Sequence, residues 1–233
     1  MRLPEHLKSV IVPVHRAGWP FIAAGLLLSI ASGFLAQPLL WLGLLLTAWM
    51  VFFFRDPSRV TPDGDDIVVS PADGTVSSIA LRRPPPEMAL GDHPMMCVSV
   101  FLNVFDVHVN RAPVGGRITR LAYHPGKFLN AALDKASEDN ERQSYRIETA
   151  GGDAYGFVQI AGLVARRIVR FVEEGDLVEA GQRVGLIRFG SRCDVYLPQS
   201  IVPLVAVGQR AVGGETVLAD GRRNVPPRGW RRS

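Results

Sequence analysis

Three short polar segments of the chain contain residues of the types that nucleophilic catalysis uses. One contains Asp73, the second His108 and the third Ser191, and each adjoins a run of apolar residues. A histidine can take the proton of a serine hydroxyl, and a carboxylate can orient and stabilise the resulting imidazolium. Together these residue types predict a serine that attacks a carbonyl carbon.

Ser191 lies in the segment Phe189-Gly-Ser-Arg, between two strand-like runs. A Gly-Ser pair at the end of a strand is usually a turn, and the Gly-x-Ser-x-Gly elbow of the α/β-hydrolases is absent around this serine. A serine hydrolase that uses Ser191, His108 and Asp73 is one hypothesis, although the missing elbow glycine argues against it. Such an enzyme would keep an intact chain and a reactive serine.

The longest apolar segment of the chain, residues 17–54, contains no ionisable residue. One membrane-spanning helix needs about 20 apolar residues. A polar break at Gln37-Pro38 separates Gly18–Ala36 from Leu39–Phe54. We therefore predict a membrane hairpin of two helices over residues 17–54, which either spans the bilayer or is re-entrant.

Basic residues flank this hairpin on both sides. Lys8, His15 and Arg16 precede it, and Arg55 and Arg59 follow it. Positive charge favours the cytoplasmic side of a membrane, so the prediction places the rest of the chain on the cytoplasmic side of the cell membrane. A secretory signal is the alternative, but the apolar block is too long and no small-residue cleavage site leads into a clean mature start.

Composition divides the chain into a basic segment (1–16), the hairpin (17–54), a catalytic domain (55–220) and a basic tail (221–233). The net charge is +4, with arginines concentrated at both ends. Such ends suit an anionic surface, either phospholipid or nucleic acid, and a solvated, disordered tail is the alternative. The two cysteines form neither a Cys-x-x-Cys pair nor a Cys/His cluster, so we expect no disulfide framework and no metal.

The segment after Arg55-Asp56-Pro57 consists of short strand-like runs separated by Gly, Pro and Asp. This pattern favours a mainly β fold, a sandwich or barrel, over a parallel α/β sheet. Within it, Phe128–Glu138 has a helical pattern. The predicted strands are Ile67–Ser70, Gly74–Ala80, Met96–Phe101, Gly116–Leu121, Arg146–Thr149, Gly156–Ile160 and Arg167–Phe171.

The stretch Val172–Ile187 has the turn spacing of lipoyl and biotinyl carrier domains. Gly175, Gly181 and Gly185 stand at the predicted reversals, where glycine supplies positive φ without steric cost. A carrier would need a lysine, and no lysine follows Lys135. The comparison therefore predicts only a sandwich-like geometry. A non-catalytic membrane adaptor that docks partner proteins through this sandwich is an alternative function.

Four further segments accompany the polar ones: Phe53-Phe-Arg-Asp-Pro, Tyr123-His-Pro-Gly-Lys-Phe, Lys135–Arg142 and Gln159-Ile-Ala-Gly-Leu-Val-Ala-Arg-Arg-Ile. With Phe189-Gly-Ser-Arg-Cys-Asp, this ordered set resembles the phosphatidylserine decarboxylase proenzymes. The resemblance is to the short bacterial and archaeal branch, whose cleavage motif is Gly-Ser-Arg. It extends to about Asp220 and covers most of the chain.

The resemblance implies autocatalytic scission between Gly190 and Ser191, into a large chain and a small chain that begins with a pyruvoyl group made from Ser191. This covalent group is the implied cofactor, without a metal. Its ketone condenses with the headgroup amine of phosphatidylserine and accepts an electron pair as carbon dioxide leaves, which gives phosphatidylethanolamine. The implied partners are the phospholipid, the membrane and the two chains as a heterodimer or higher oligomer, with no nucleic acid.

The resemblance also implies roles for single residues. Asp73, His108 and Ser191 are its catalytic positions, and His108 is the expected acid that protonates the carbanion. Arg192 or Arg111 is expected to hold the phosphate or carboxylate of the substrate, with a structural ion pair as the alternative for either.

One position departs from the longer bacterial relatives. Those have His-x-x-His, whereas His108 is followed here by Arg111. The second histidine is the one implicated in self-cleavage, so the base that activates Ser191 is left open. His124 in Tyr-His-Pro-Gly is one candidate, with a structural loop histidine as its competing interpretation. His108 acting in both steps is the other candidate.

Overall fold

The computed structural model describes residues 12–64, 66–126, 140–162, 167–188 and 191–222. The chain divides into two compact units, Met1–Ser58 and Arg59–Ser233. The predicted helix Phe128–Glu138 lies outside the described residues, as do Gly190 and the end of the basic tail.

The first unit contains a helical hairpin. Helix α1 is Trp19–Gly33 and helix α2 is Gln37–Phe53, and each has a proline in its first turn, where the missing N–H costs nothing. The second helix begins at the predicted break, so the predicted helical hairpin is confirmed. No helix within the described ranges is long and apolar enough to cross a membrane.

Small residues form the contact between the two helices. A Cβ on Gly25 would lie 2.7 Å from the Thr47 hydroxyl, and Gly43 is packed as closely against Ser29. These two hydroxyls donate to the carbonyls of Gly43 and Gly25 within their own helices, at 2.8 and 2.6 Å. The large apolar side chains therefore stay on the outside of the hairpin, among them Leu26, Leu27, Leu28, Ile30, Phe34, Leu35, Trp41, Leu42, Leu45 and Leu46.

The second unit is built from antiparallel strands. Its described residues form β1 (Ile67–Val69), β2 (Gly74–Arg82), β3 (Met95–Leu102), β4 (Val109–Arg111), β5 (Gly116–His124), β6 (Arg142–Glu148), β7 (Ala154–Ala161), β8 (Ile168–Arg170), β9 (Leu177–Val178), β10 (Arg183–Ile187), β11 (Ser191–Leu197), β12 (Arg210–Ala211) and β13 (Val217–Asp220). Each of the seven predicted strands is present.

The strands make one large sheet and two small ones. Eight strands form a curled half-barrel in the order β12-β2-β3-β11-β7-β6-β5-β9. The small sheets are β4-β10-β8 and β1-β13. The main core contains side chains of all three sheets, and a second apolar cluster includes Met88, Cys97 and Tyr196. The predicted mainly β, sandwich or barrel-like fold is confirmed.

The carrier-like turns agree with the prediction at two of three glycines. Gly175 and Gly181 have φ of 100° and 76°, as tight reversals need. The prediction for Gly185 is wrong, because this residue lies inside β10. Glycine is needed there for space, since an added Cβ would lie 2.7 Å from the Nε2 of Gln159.

Candidate active site

Ser191 is the first residue of β11, a central strand of the large sheet. It pairs with Leu102 of β3 on one side and with Ala161 of β7 on the other. The residue is fully buried, and its Oγ has no hydrogen-bond partner in the part of the chain that the structure describes. Buried polar atoms are nearly always paired, so this orphaned hydroxyl is a functional signal.

The two faces of β11 have different surroundings, because successive side chains of a strand point to opposite faces. Cys193 and Val195 belong to the main core, together with Leu102 and Ala161, so Ser191 shares that face. Tyr196 belongs to the second cluster. Arg192 therefore faces away from Ser191.

His108 lies at the same end of the large sheet as Ser191. It follows β3, the strand whose last residue pairs with Ser191, and its carbonyl accepts from the N–H of Ile187, 3.2 Å away. Ile187 in turn ends β10, the strand that leads towards Ser191. The His108 segment is thus linked to β3 along the chain and to the end of β10 by a hydrogen bond.

The imidazole of His108 is fully buried and oriented by a backbone group. Its Nδ1 lies 2.9 Å from the carbonyl oxygen of Asp106. A carbonyl can only accept, so Nδ1 carries the proton and, in the neutral ring, Nε2 is the basic nitrogen. This is the tautomer that a general base requires.

Side-chain oxygens fix the loop that carries His108. The Asp106 carboxylate accepts from the N–H of Asn103 at 2.9 Å and forms an ion pair with Arg210. The hydrogen bond to Asp106 raises the pKa of Arg210, and the charges of Asp106 and Asp73 add to the effect. The loop therefore has little freedom to move the imidazole.

Asp73 lies two strands from Ser191 and is bound to other groups. Its oxygens accept from the guanidinium of Arg59 at 2.7 Å and from the N–H of Gly213 at 2.8 Å. It directly precedes β2, which is separated from β11 by β3, so about 10 Å separates the two strands. The register does not place Asp73 next to the serine as a triad member.

Two of the predicted substrate ligands are buried arginines. Arg192 forms a bidentate ion pair with Asp194 at 2.9 and 3.1 Å. Arg111 is 6% exposed and donates to the carbonyl of Gly181 at 2.8 Å. Both guanidinium groups are thus engaged by the protein itself.

His124 is not brought to Ser191. It ends β5 and pairs with Arg142 of β6. Arg142 pairs with Ile160, which pairs with Arg192. His124 therefore lies three strands, about 14 Å, from β11, on the Arg192 face of the sheet.

A buried polar chain, which the sequence reasoning missed, crosses from β6 to β4. The Tyr145 hydroxyl donates to Oε1 of Gln159 at 2.6 Å, and Nε2 of Gln159 donates to Oδ1 of Asn110 at 2.7 Å. Gln159 pairs with Cys193, two residues from Ser191, and Asn110 is two residues from His108. A polar glutamine between Val158 and Ile160 of a buried strand was the signal available in the sequence.

A cleft among the described residues lies away from Ser191. A cavity of about 760 Å³ is lined by Asp63, Asp66, Gly116, Asp153 and Tyr155, among others. Asp153 and Tyr155 flank the first residue of β7, whereas Ser191 pairs with the last. The cleft is therefore at the opposite end of the sheet from Ser191.

Comparison with known proteins identifies the family. A family model described as phosphatidylserine decarboxylase matches residues 46–219. The chain belongs to the phosphatidylserine decarboxylase family. It is also 54% identical over 226 residues to the phosphatidylserine decarboxylase proenzyme of Beijerinckia indica subsp. indica, and the alignment covers 97% of each chain.

The family match includes the residues at the site. Asp73, His108 and Ser191 all lie within the matched range. The prediction of an enzyme of the phosphatidylserine decarboxylase family, a carboxy-lyase, is thereby confirmed. Residues 12–45, which include most of the hairpin, lie before the matched range but within the alignment's nearly complete coverage of the relative.

Proposed function

We propose that this chain is a proenzyme that cleaves itself between Gly190 and Ser191, forms a pyruvoyl group at residue 191 and decarboxylates phosphatidylserine to phosphatidylethanolamine. One observation carries the proposal: the buried Ser191 hydroxyl has no hydrogen-bond partner among the described residues, and it stands at the start of a central strand whose partner β3 leads into the His108 loop. The family membership names the substrate class.

The cleavage uses the serine hydroxyl as an internal nucleophile. Its oxygen bonds to the Gly190 carbonyl carbon, the peptide C–N bond breaks, and the nitrogen takes a proton, which leaves an ester. Elimination then releases the Gly190 carboxylate, and hydrolysis of the resulting enamine releases ammonia and leaves a pyruvoyl group. The buried, orphaned position of Ser191 fits such a group, since a ketone needs no donor partner of its own.

His108 is the proposed base of the cleavage and the acid of the decarboxylation. Its Nδ1 is held by the Asp106 carbonyl, so Nε2 is the basic nitrogen in the neutral ring. Arg111, at the position of the second histidine, stays protonated near neutral pH and cannot act as a base. His124 lies three strands away. These placements favour a single histidine in both steps.

The two products of cleavage are expected to remain associated. β11 is paired along its length with β3 and β7, which belong to the large chain. The small chain also contains β12 and β13, which pair with β2 and β1. The new amino terminus therefore stays fixed in the middle of the sheet, where the pyruvoyl group supplies the electron sink for decarboxylation.

The anionic headgroup has a candidate site outside the buried arginines. The N–H of Arg188 donates to the carbonyl of Arg167 at 3.3 Å, beside the paired residues Ile187 and Ile168. Burial and the charge of Arg167 lower the pKa of Arg188. Like charges on facing strands repel, and a bound phosphodiester would relieve that repulsion. We assign headgroup binding to this pair, three residues before Ser191, and not to Arg192 or Arg111.

The hairpin is the proposed membrane attachment. Phe34 and Leu35, between its helices, are 86% and 83% exposed, and Leu27 and Leu28 are each 70% exposed. An apolar surface of this size marks a contact with lipid or another apolar partner. A lipid bilayer is the occupant that fits the substrate. The basic flanks of the hairpin favour a cytoplasmic position for the catalytic unit.

Intact mass measurement of the purified protein tests the proposal. We expect two chains, with the smaller beginning at residue 191 and lighter than a serine-terminated peptide by the mass of ammonia. The Ser191→Ala variant should remain one chain without decarboxylase activity. A single unbroken wild-type chain with an unmodified serine would refute the proposal.

A further inference from the structure

Asn110 has a fixed orientation and an unused donor. It is fully buried on β4, and its Oδ1 accepts from Nε2 of Gln159 at 2.7 Å. Its Nδ2 has no hydrogen-bond partner among the described residues. A buried amide nitrogen without a partner destabilises the fold, so its persistence needs a reason.

The hydrogen-bond chain determines which end of the Asn110 amide is the donor. Burial holds the pKa of the Tyr145 hydroxyl far above its usual value, so this hydroxyl stays protonated and donates to Oε1 of Gln159. The other end of the Gln159 amide must then donate, and it does so to Oδ1 of Asn110. The two N–H groups of Asn110 are left for another acceptor.

Asn110 is close to the reacting centre by two routes. Asn110 is two residues after His108, which directly precedes β4, so an extended chain turns both side chains to the same side. Across the sheets it contacts Gln159, which pairs with Cys193, so Gln159 and Ser191 are diagonal neighbours about 7–8 Å apart. Through Gln159, the Asn110 amide therefore reaches the face of the large sheet that carries the Ser191 hydroxyl.

We infer that Asn110 Nδ2 is the hydrogen-bond donor that stabilises the negative charge of the self-cleavage reaction. This inference rests on the proposed function. When Ser191 Oγ bonds to the Gly190 carbonyl carbon, the electron pair of the carbonyl moves to its oxygen. A pre-oriented amide donor in a buried site stabilises that oxyanion without reorganisation. Gln159 and Tyr145 are then positioning residues, because they act by holding the amide.

The test measures the rate of self-cleavage after synthesis in a cell-free system, with the fraction of cleaved chain followed on denaturing gels. Asn110→Ala should slow cleavage about 100- to 1,000-fold, the usual cost of one oxyanion donor. Hydroxylamine, which cuts esters, reports the attack step alone, and ester formation should be slowed by the same factor. Decarboxylation is not needed for either readout.

Tyr145→Phe is the matched control. Each variant deletes one buried hydrogen bond to Gln159, but Tyr145→Phe leaves Asn110 Nδ2 in place. On the uncleaved Ser191→Ala background, Asn110→Ala and Tyr145→Phe should lose a similar unfolding free energy. With Ser191 intact, Tyr145→Phe should slow cleavage tenfold or less. Asn110→Asp keeps the acceptor for Gln159 and removes the donor, so its self-cleavage should be as slow as that of Asn110→Ala. This variant replaces Asn110→Ala in the test if the alanine variant does not fold.

Cleavage of Asn110→Ala or Asn110→Asp within fivefold of the wild-type rate overturns the inference. So does equal slowing by Asn110→Ala and Tyr145→Phe, because a shared loss of packing then explains both. In these cases the wild type still cleaves and the proposed function stands. An uncleaved wild type refutes the proposed function, and the inference with it.

Discussion

Replacing Arg192 by methionine distinguishes a structural ion pair from a substrate ligand. Nε of Arg192 lies 2.9 Å from Oδ1 of Asp194, and the two side chains are 3% and 1% exposed. Methionine fills similar volume but leaves the carboxylate buried without its cation. Breaking a buried pair from one side costs about 3–5 kcal/mol. We expect Arg192→Met to lose that much unfolding free energy.

Guanidinium unfolding on the Ser191→Ala background measures this loss, because one uncleaved chain allows two-state analysis. Glu148→Gln is the control. It breaks the pair of Arg146 and Glu148, which is equally short at 2.8 Å but 26% and 39% exposed, so it should cost less than about 1 kcal/mol. The double variant Arg192→Met, Asp194→Leu should regain most of the lost stability, since no unpaired charge remains.

Activity gives the second half of this test. Cleaved Arg192→Met enzyme should bind phosphatidylserine with a KM within twofold of the wild type, because the guanidinium faces away from Ser191. A loss of less than about 1 kcal/mol together with a tenfold higher KM would show that Arg192 binds substrate. The assignment of faces along β11 would then be wrong.

Three further outcomes are expected. Arg167→Gln should raise the KM for phosphatidylserine in neutral detergent micelles about tenfold without changing cleavage, whereas Arg170→Gln, an exposed arginine paired at 3.8 Å with a glutamate, should not. Phe34→Ser should lower co-sedimentation with phosphatidylserine vesicles at least tenfold, while Val60→Ser, equally exposed outside the hairpin, should leave it unchanged. Burial raises the pKa of Tyr155 from 10.0 to about 12. The neutral phenol therefore stabilises the fold fully below about pH 10, and this contribution is lost between pH 10 and 12. Over that range the unfolding free energy of Tyr155→Phe should fall less than that of the wild type.

The local elements were predictable because each leaves a mark on neighbouring residues. The hairpin was predicted from residues 17–54, which contain no ionisable residue, and from the break at Gln37-Pro38. The seven strands were predicted from short strand-like runs separated by Gly, Pro and Asp. Gly185 was misread because a glycine needed for a turn and one needed for close packing look alike in sequence. The space that a Cβ at residue 185 would need is occupied by the side chain of Gln159, a residue of another sheet.

The site was predictable as a set of residues but not as an arrangement. Ser191 and His108 come to the same end of the large sheet because β3 pairs with β11 and a hydrogen bond links the end of β10 to His108, which sequence order does not show. In β11 the charged Arg192 and Asp194 alternate with the apolar Cys193 and Val195, as in a half-buried strand, yet both faces of the strand are buried. The sequence therefore contains no sign that the charged face would be covered. Asn110 gave no local sign of its bond to Gln159.

The contacts of Asp73 indicate a structural role, which differs from the catalytic role of a triad carboxylate. One of its oxygens is bound by Arg59 of the proposed large chain, and the other accepts from the N–H of Gly213 in the proposed small chain. The ion pair of Asp106 with Arg210 crosses between the same two chains and ends in the loop that holds His108. Both carboxylates therefore tie the small chain to segments that shape the site. A change at Asp73 should then disturb the association of the cleaved chains as well as the chemistry, whereas a triad carboxylate would affect the proton transfer alone.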